Sequence, residues 1–199
     1  MTRPYKKLIS RQRQQLVENY EDLFPKGPPR VGSSRYFLLE TGINWLEDNL
    51  AEIPQPFIGY FHFFPPHHPY ITRAEFQETF ANDGYQPIDK PEHLFKMGET
   101  PNSQVFFRRL YDESILYVDS EFGRLFNFFE ESGLLENTYL VLTADHGELF
   151  ERGFVGHSTE TFFDPIARIP LVIFEPGQQT RKDVYQSTSA AVWCRPCCT

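Results

Sequence analysis

The chain has no cysteine before Cys194, and its three cysteines, Cys194, Cys197 and Cys198, crowd the C-terminal end. No disulfide framework can span the domain, and cysteine usage does not report a redox compartment. Long apolar runs are missing too: none reaches the roughly 18–20 residues of a membrane-spanning helix. The opening Met1-Thr-Arg-Pro-Tyr-Lys-Lys is basic but has no apolar region behind it, so it does not read as a secretory signal. With neither signal nor span, the default expectation is a cytoplasmic protein. Positive charge is in deficit, with 19 Lys+Arg against 27 Asp+Glu and a net charge of −8, which argues against a general nucleic-acid binder. Internal repeats and low-complexity segments are absent.

Aromatic residues are abundant. The 199 residues include 20 Phe and 10 Tyr, and 40% of the chain is hydrophobic. That composition is globular, and the length suits one domain with a sizeable core. The aromatic excess favours a well-filled core, together with an apolar surface that further chain would cover.

Periodicity places the elements. Residues 9–22 are compatible with a short helix. Ser34 reads as an N-cap, and Leu39, Ile43, Leu46 and Leu50 then mark one face of a helix over about 35–50, closed by Pro54 and Pro56. Phe57 to Phe64 is a short aromatic run that predicts a buried strand of a mostly parallel sheet. Residues 65–105 are irregular, with a short helix near 72–80. Tyr111, Ile115, Val118, Phe122, Leu125 and Phe129 predict the clearest helix, stopped at Gly133. Strands follow over 137–143 and 169–174. The order predicts an α/β fold.

The chemistry-bearing residues concentrate at strand ends. Asp145 and His146 follow the apolar run Tyr139–Leu142, and His157 lies in the glycine-punctuated loop after them. His62, His67 and His68 occupy the exit of the first strand, while His93 lies in the long irregular segment. In open α/β sheets, ligands bind outside the carboxyl ends of strands. Asp and neutral His both bind divalent ions, and histidine also moves protons. The same Thr-x-Asp-His-Gly pattern suits an ordinary turn with a hydrogen-bonded histidine. His62, inside an aromatic strand, reads as a packed core residue, His68 as exposed, and Glu148 as a structural or supporting carboxylate rather than a ligand.

Several motifs in collinear order resemble the sulfatase family of the alkaline phosphatase superfamily. They are His62-Phe-Phe-Pro-Pro-His67-His-Pro-Tyr70, the segment Tyr111-Asp-Glu-Ser-Ile-Leu-Tyr-Val-Asp-Ser-Glu-Phe-Gly-Arg-Leu, Leu142-Thr-Ala-Asp-His-Gly-Glu, Arg152-Gly-Phe-Val-Gly-His157 and Arg168-Ile-Pro-Leu-Val-Ile-Phe-Glu-Pro-Gly177. The resemblance covers about residues 35–186 and implies part of an alkaline-phosphatase-like fold, a mostly parallel sheet flanked by helices. It implies metal-dependent hydrolysis of a sulfate ester, on a small molecule or a glycan, in the complete protein. A phosphodiesterase or phosphotransferase of the same superfamily and a non-catalytic remnant are the alternatives. Asp145 and His146 match the family's second pair of metal ligands, for a divalent ion of the Ca²⁺ type with Mn²⁺ or Mg²⁺ as alternatives. His67 matches a histidine that contacts the transferred anion and the leaving group. His157 matches a basic residue on the same anion, where relatives often carry lysine.

The sequence also departs from the family. No Cys or Ser in residues 1–170 is followed by the x-Pro-x-Arg pattern of the family's nucleophile, and the earlier Asp pair is missing. Pro65 stands where the family has the aspartate of Asp-Pro-His, so an orienting carboxylate near His67 is lost. Residues 1–189 are therefore expected to be a partial catalytic domain with its N-terminal part missing. Residues 190–199, ending Cys194-Arg-Pro-Cys-Cys-Thr199, are expected to be an atypical tail from a truncation or a shifted frame.

Overall fold

A computed structural model describes residues 39–96, 98–157 and 162–189. The expected helix over 9–22, the Ser34 cap and the 190–199 tail lie outside the described residues.

Helix α1 spans Leu39–Asn49 and tightens into a 3₁₀ turn, Leu50–Glu52. Its buried face is Leu39, Ile43 and Leu46, with Leu50 continuing it. These are the residues that the i, i+4, i+7 spacing marks for the core. Helix α2 runs over Pro101–Glu131, 31 residues, and so starts well before the apolar stripe that announces it. Its start is capped: Thr100 accepts from the Ser103 N–H at 3.2 Å, and Pro101 occupies the first turn, where its missing N–H costs nothing. Its end is set by Gly133 in the left-handed region at φ 73°.

The two helices enclose the main core of Leu39, Ile43, Leu46, Leu50, Tyr117, Leu125 and Phe129. The buried face of α2 is turned from the expected stripe: Tyr117 is fully buried, whereas Ile115 is 41% exposed. The reason is a polar network inside the interface. Glu40 of α1, fully buried, accepts from Arg73 Nη1 at 2.8 Å and from the Tyr117 hydroxyl. Arg124 donates to Glu121 Oε2 at 2.9 Å and to the Glu40 carbonyl at 3.1 Å. Buried charges require partners, and this requirement fixes which face of α2 turns inward. The flank carrying Phe122 and Phe126 stacks on Phe174 instead, at ring distances of 6.2 and 4.7 Å.

Strands β1 (Leu140–Thr143) and β2 (Leu171–Phe174) pair antiparallel, with Leu140 opposite Phe174 and Thr143 opposite Leu171. This corrects the expectation of a parallel sheet for the one pair seen among the described residues. A parallel return needs a crossover, usually a helix of some length. The 144–170 connection instead goes into the histidine loop and a one-turn helix α3, Asp164–Ala167, which sends the chain back antiparallel. The expected strand at 57–64 is irregular, and Ile58 and Tyr60 are 95% and 80% exposed. A buried strand needs ladder partners, and among the described residues the run has none, although Phe63 packs against the main core. The short helix expected near 72–80 is a series of turns.

Candidate active site

The site lies where β1 ends. Thr143 donates to the Pro170 carbonyl at 2.8 Å, tying the strand exit to the entry of β2. Asp145 then accepts from the backbone N–H of His146 at 3.0 Å. Gly147 donates to the Ile166 carbonyl at 2.8 Å, and a Cβ at this position would lie 2.1 Å from the Pro165 carbonyl oxygen. Only glycine lets the loop pass that close to α3. Beyond it the chain doubles back. Leu149 and Gly156 exchange two backbone hydrogen bonds of 3.1 and 3.0 Å, and Gly153 and Gly156 take left-handed conformations. This small hairpin sets Glu148 beside His157.

His67 arrives from the other side, on a turn in which its N–H donates to the Phe64 carbonyl at 3.0 Å. Three imidazoles thereby meet. Ring centroids are 3.9 Å apart for His146 and His157, 5.0 Å for His67 and His157, and 6.3 Å for His67 and His146. Each has its Nδ1 on an acceptor: His67 on the His68 carbonyl at 2.7 Å, His146 on the Gly147 carbonyl at 3.0 Å, and His157 on Glu148 Oε1 at 3.0 Å. In the neutral ring Nδ1 then carries the proton and Nε2 keeps its lone pair. With proline at position 65, the His67 ring is oriented by a backbone carbonyl.

Asp145 flanks this group. Its carboxylate lies 3.8 Å from His146 Nε2 and 3.9 Å from His62 Nε2. Burial pushes its pKa up, but His146, the neighbouring backbone N–H groups and His62 outweigh that and hold it below the usual carboxylate range. Asp145 is therefore anionic at neutral pH, as an oxygen ligand must be. His62 is exposed, which corrects its reading as a core residue; with the 57–64 run irregular, its side chain stays more than half open to solvent. His68 is exposed as expected, and His93 packs apart against Phe95, Phe154 and Phe163.

Glu148 and Tyr70 complete the arrangement. The Glu148 side chain is buried and takes the Tyr70 hydroxyl at 3.0 Å on its second oxygen. Burial, reinforced by Glu148, pushes the Tyr70 phenol far above its ordinary range, so it stays a donor. Glu148, read from the sequence as a supporting carboxylate rather than a ligand, is buried with one oxygen on Tyr70 and the other on His157. The role of Tyr70 was not legible, since only the fold brings residue 70 to residue 148. A buried carboxylate's need for donors was the one available signal.

The donor set suits a divalent ion. It combines an ionised carboxylate, an imidazole nitrogen with a free lone pair beside it, and backbone contacts that fix both.

A family model, Sulfatase, matches residues 4–192. The chain belongs to the sulfatase family. Among similar proteins, the sulfatase YidJ of Escherichia coli K12 is 28% identical over 145 residues, covering 66% of this chain and 29% of that protein. The choline-sulfatase of Rhizobium meliloti 1021 is 28% identical over 148 residues, covering 65% and 28%. The multifunctional alkaline phosphatase superfamily protein PehA of Trinickia caryophylli is 24% identical over 210 residues, covering 82% and 39%. The chain thus spans between 28% and 39% of the length of these three relatives. Membership implies an α/β alkaline-phosphatase-like fold, of which the described residues provide helices and a two-stranded sheet, and a divalent metal, which sulfatases generally bind. No helix among the described residues is long and apolar enough to cross a membrane.

Proposed function

We propose that this sulfatase-family chain contributes one side of a site that hydrolyses a sulfate ester of a small molecule or a glycan. The observation that carries the reading is the convergence of His67, His146 and His157, with Asp145 ionised beside His146. Asp145 and His146 would hold a divalent ion of the Ca²⁺ type, with Mn²⁺ or Mg²⁺ as alternatives, which supplies positive charge to the ester's oxygens.

The other residues act directly on the ester. His67, held at Nδ1 by a carbonyl, directs Nε2 toward the shared space; protonated there, it gives its proton to the leaving oxygen. His157, with Glu148 as counter-charge, binds an oxygen of the transferred sulfuryl group through Nε2–H. Tyr70 keeps Glu148 in place. Residues 1–170 carry no Cys/Ser-x-Pro-x-Arg segment, the pattern of the family's covalent nucleophile. The 199-residue chain is expected to bind an oxyanion without turning it over.

The test is calorimetric titration of inorganic sulfate with and without Ca²⁺ or Mn²⁺, beside assays with an aryl sulfate and an aryl phosphate. Metal-enhanced sulfate binding that is lost in Asp145→Ala is the expected result. Robust turnover by the chain alone would show that a nucleophile is present after all. A phosphoryl-transfer reading is favoured by one observation, the similarity to PehA across 82% of this chain; preference for phosphate over sulfate in the same titrations would select it.

A further inference from the structure

Beside Asp145–His146 there is a second donor group of different chemistry. His146, Glu148 and His157 each offer a ligand atom, and these atoms lie within 4.8 Å of one another. Two imidazole nitrogens and one carboxylate oxygen form the donor set of a three-ligand zinc site with an open position. Calcium, which takes six to eight oxygens, is a poor match for it. We propose that His146, Glu148 and His157 bind a borderline divalent transition ion of the Zn²⁺ or Co²⁺ class, using no ligand from outside this chain.

Three features of the geometry support this. His157 Nδ1 and Glu148 Oε1 are already 3.0 Å apart, close enough for one divalent ion to bind both. Ion entry replaces the proton of that contact, which leaves to solvent. The backbone on both sides is pinned, by Gly147 against Ile166 and by the paired hydrogen bonds of Leu149 and Gly156. The backbone that carries the ligands is therefore fixed before the ion arrives, and small side-chain rotations bring the donor atoms onto it. The free oxygen of Glu148 is held by Tyr70, the outer hydrogen bond that orients ligands in metal sites. His67 lies next to this group, its ring centroid 5.0 Å from that of His157. The site shares His146, Glu148 and His157 with the proposed sulfatase reading but does not use Asp145, so the transition ion and the sulfuryl group compete for His157.

The experiment is titration of the full chain with Co²⁺, followed by visible d–d absorption, then displacement by Zn²⁺. One equivalent is expected, with the strong absorption of a low-coordinate site. His157→Ala should weaken binding by about 100-fold or more and Tyr70→Phe by about 10-fold, while Asp145→Asn, which removes a nearby charge but no ligand, weakens it far less than His157→Ala. His157 is partly exposed, so its removal spares the core; circular dichroism on each variant confirms folding. No Co²⁺ band from folded wild-type chain, or a band that survives His157→Ala, overturns the proposal. So does a band abolished by Asp145→Asn, which would assign the ion to the Asp145–His146 pair. The sulfatase reading fails separately, if Asp145→Asn leaves Ca²⁺-enhanced sulfate binding intact.

Discussion

The molecule contains two polar clusters, and they are built on opposite principles. Between α1 and α2, Glu40, Arg73, Tyr117, Glu121 and Arg124 are interlocked. Carboxylate oxygens meet guanidinium or phenol donors, and the valences are used within the protein. At the end of β1, His67, His146 and His157 each use only one ring nitrogen on the protein. Among the described residues the second nitrogen of each makes no hydrogen bond, although the Asp145 carboxylate lies 3.8 Å from that of His146. A cluster that satisfies itself holds helices together. A cluster that fixes one nitrogen and spares the other is prepared for something that is not protein.

Substitutions sharpen this contrast. The largest effect is expected from Arg73→Ala, which removes the cationic partner of the fully buried Glu40 carboxylate and leaves it only the Tyr117 hydroxyl among the side-chain donors named above; loss of one partner of a buried pair costs about 3–5 kcal/mol. Urea unfolding should report it, and a change below 1 kcal/mol would mean the network is not structural. Next is Gly147→Ala, whose Cβ would meet the Pro165 carbonyl; overpacking of this kind costs about 1–3 kcal/mol, and it should also displace His146 and weaken metal binding. Tyr70→Phe removes one donor from buried Glu148 and should cost about 1 kcal/mol. It tests whether the two clusters overlap in kind, since Tyr70 is the one fully committed donor beside the histidines.

His67→Ala and His146→Ala should shift stability by only about 0.5 kcal/mol, yet remove sulfate or metal binding in calorimetry. Destabilisation as large as that of Arg73→Ala would erase the distinction between the clusters. The smallest effect has the opposite sign. Glu113 is buried with Oε1 lacking a hydrogen bond, 3.7 Å from Arg109, and burial raises its pKa despite that neighbour. A carboxyl raised on folding binds more protons in the native state, so stability falls as pH rises through and above the ordinary carboxylate range near about 4. Glu113→Gln should therefore be more stable than wild type at pH 7, with the gap closing below that range. A gap independent of pH would mean that Glu113 is not the titrating group.

Parts of both clusters could be read along the chain. The face of α1 was legible because Leu39, Ile43, Leu46 and Leu50 follow the helical period with nothing competing. The helix α2 was legible from its apolar residues, but not its inward face, because Glu113 and Glu121 are buried and Ile115 is exposed. Periodicity counts apolar side chains and does not register that a glutamate can be buried once Arg124 or Arg73 meets it. The 57–64 run read as a strand because it has strand composition, but a strand also needs partners, and among the described residues it has none.

By itself the sequence determined the family-bearing motifs, the two amphipathic helices and the identities of Asp145, His146, His67 and His157, since these depend on residue type and local spacing. The tertiary structure alone decided which way the strands pair, that His62 lies open to solvent, and that Tyr70 and Glu148 stand behind His157. Those outcomes depend on which distant groups arrive at the same place. A buried carboxylate takes its donors from wherever the fold delivers them, here across 78 residues between Tyr70 and Glu148.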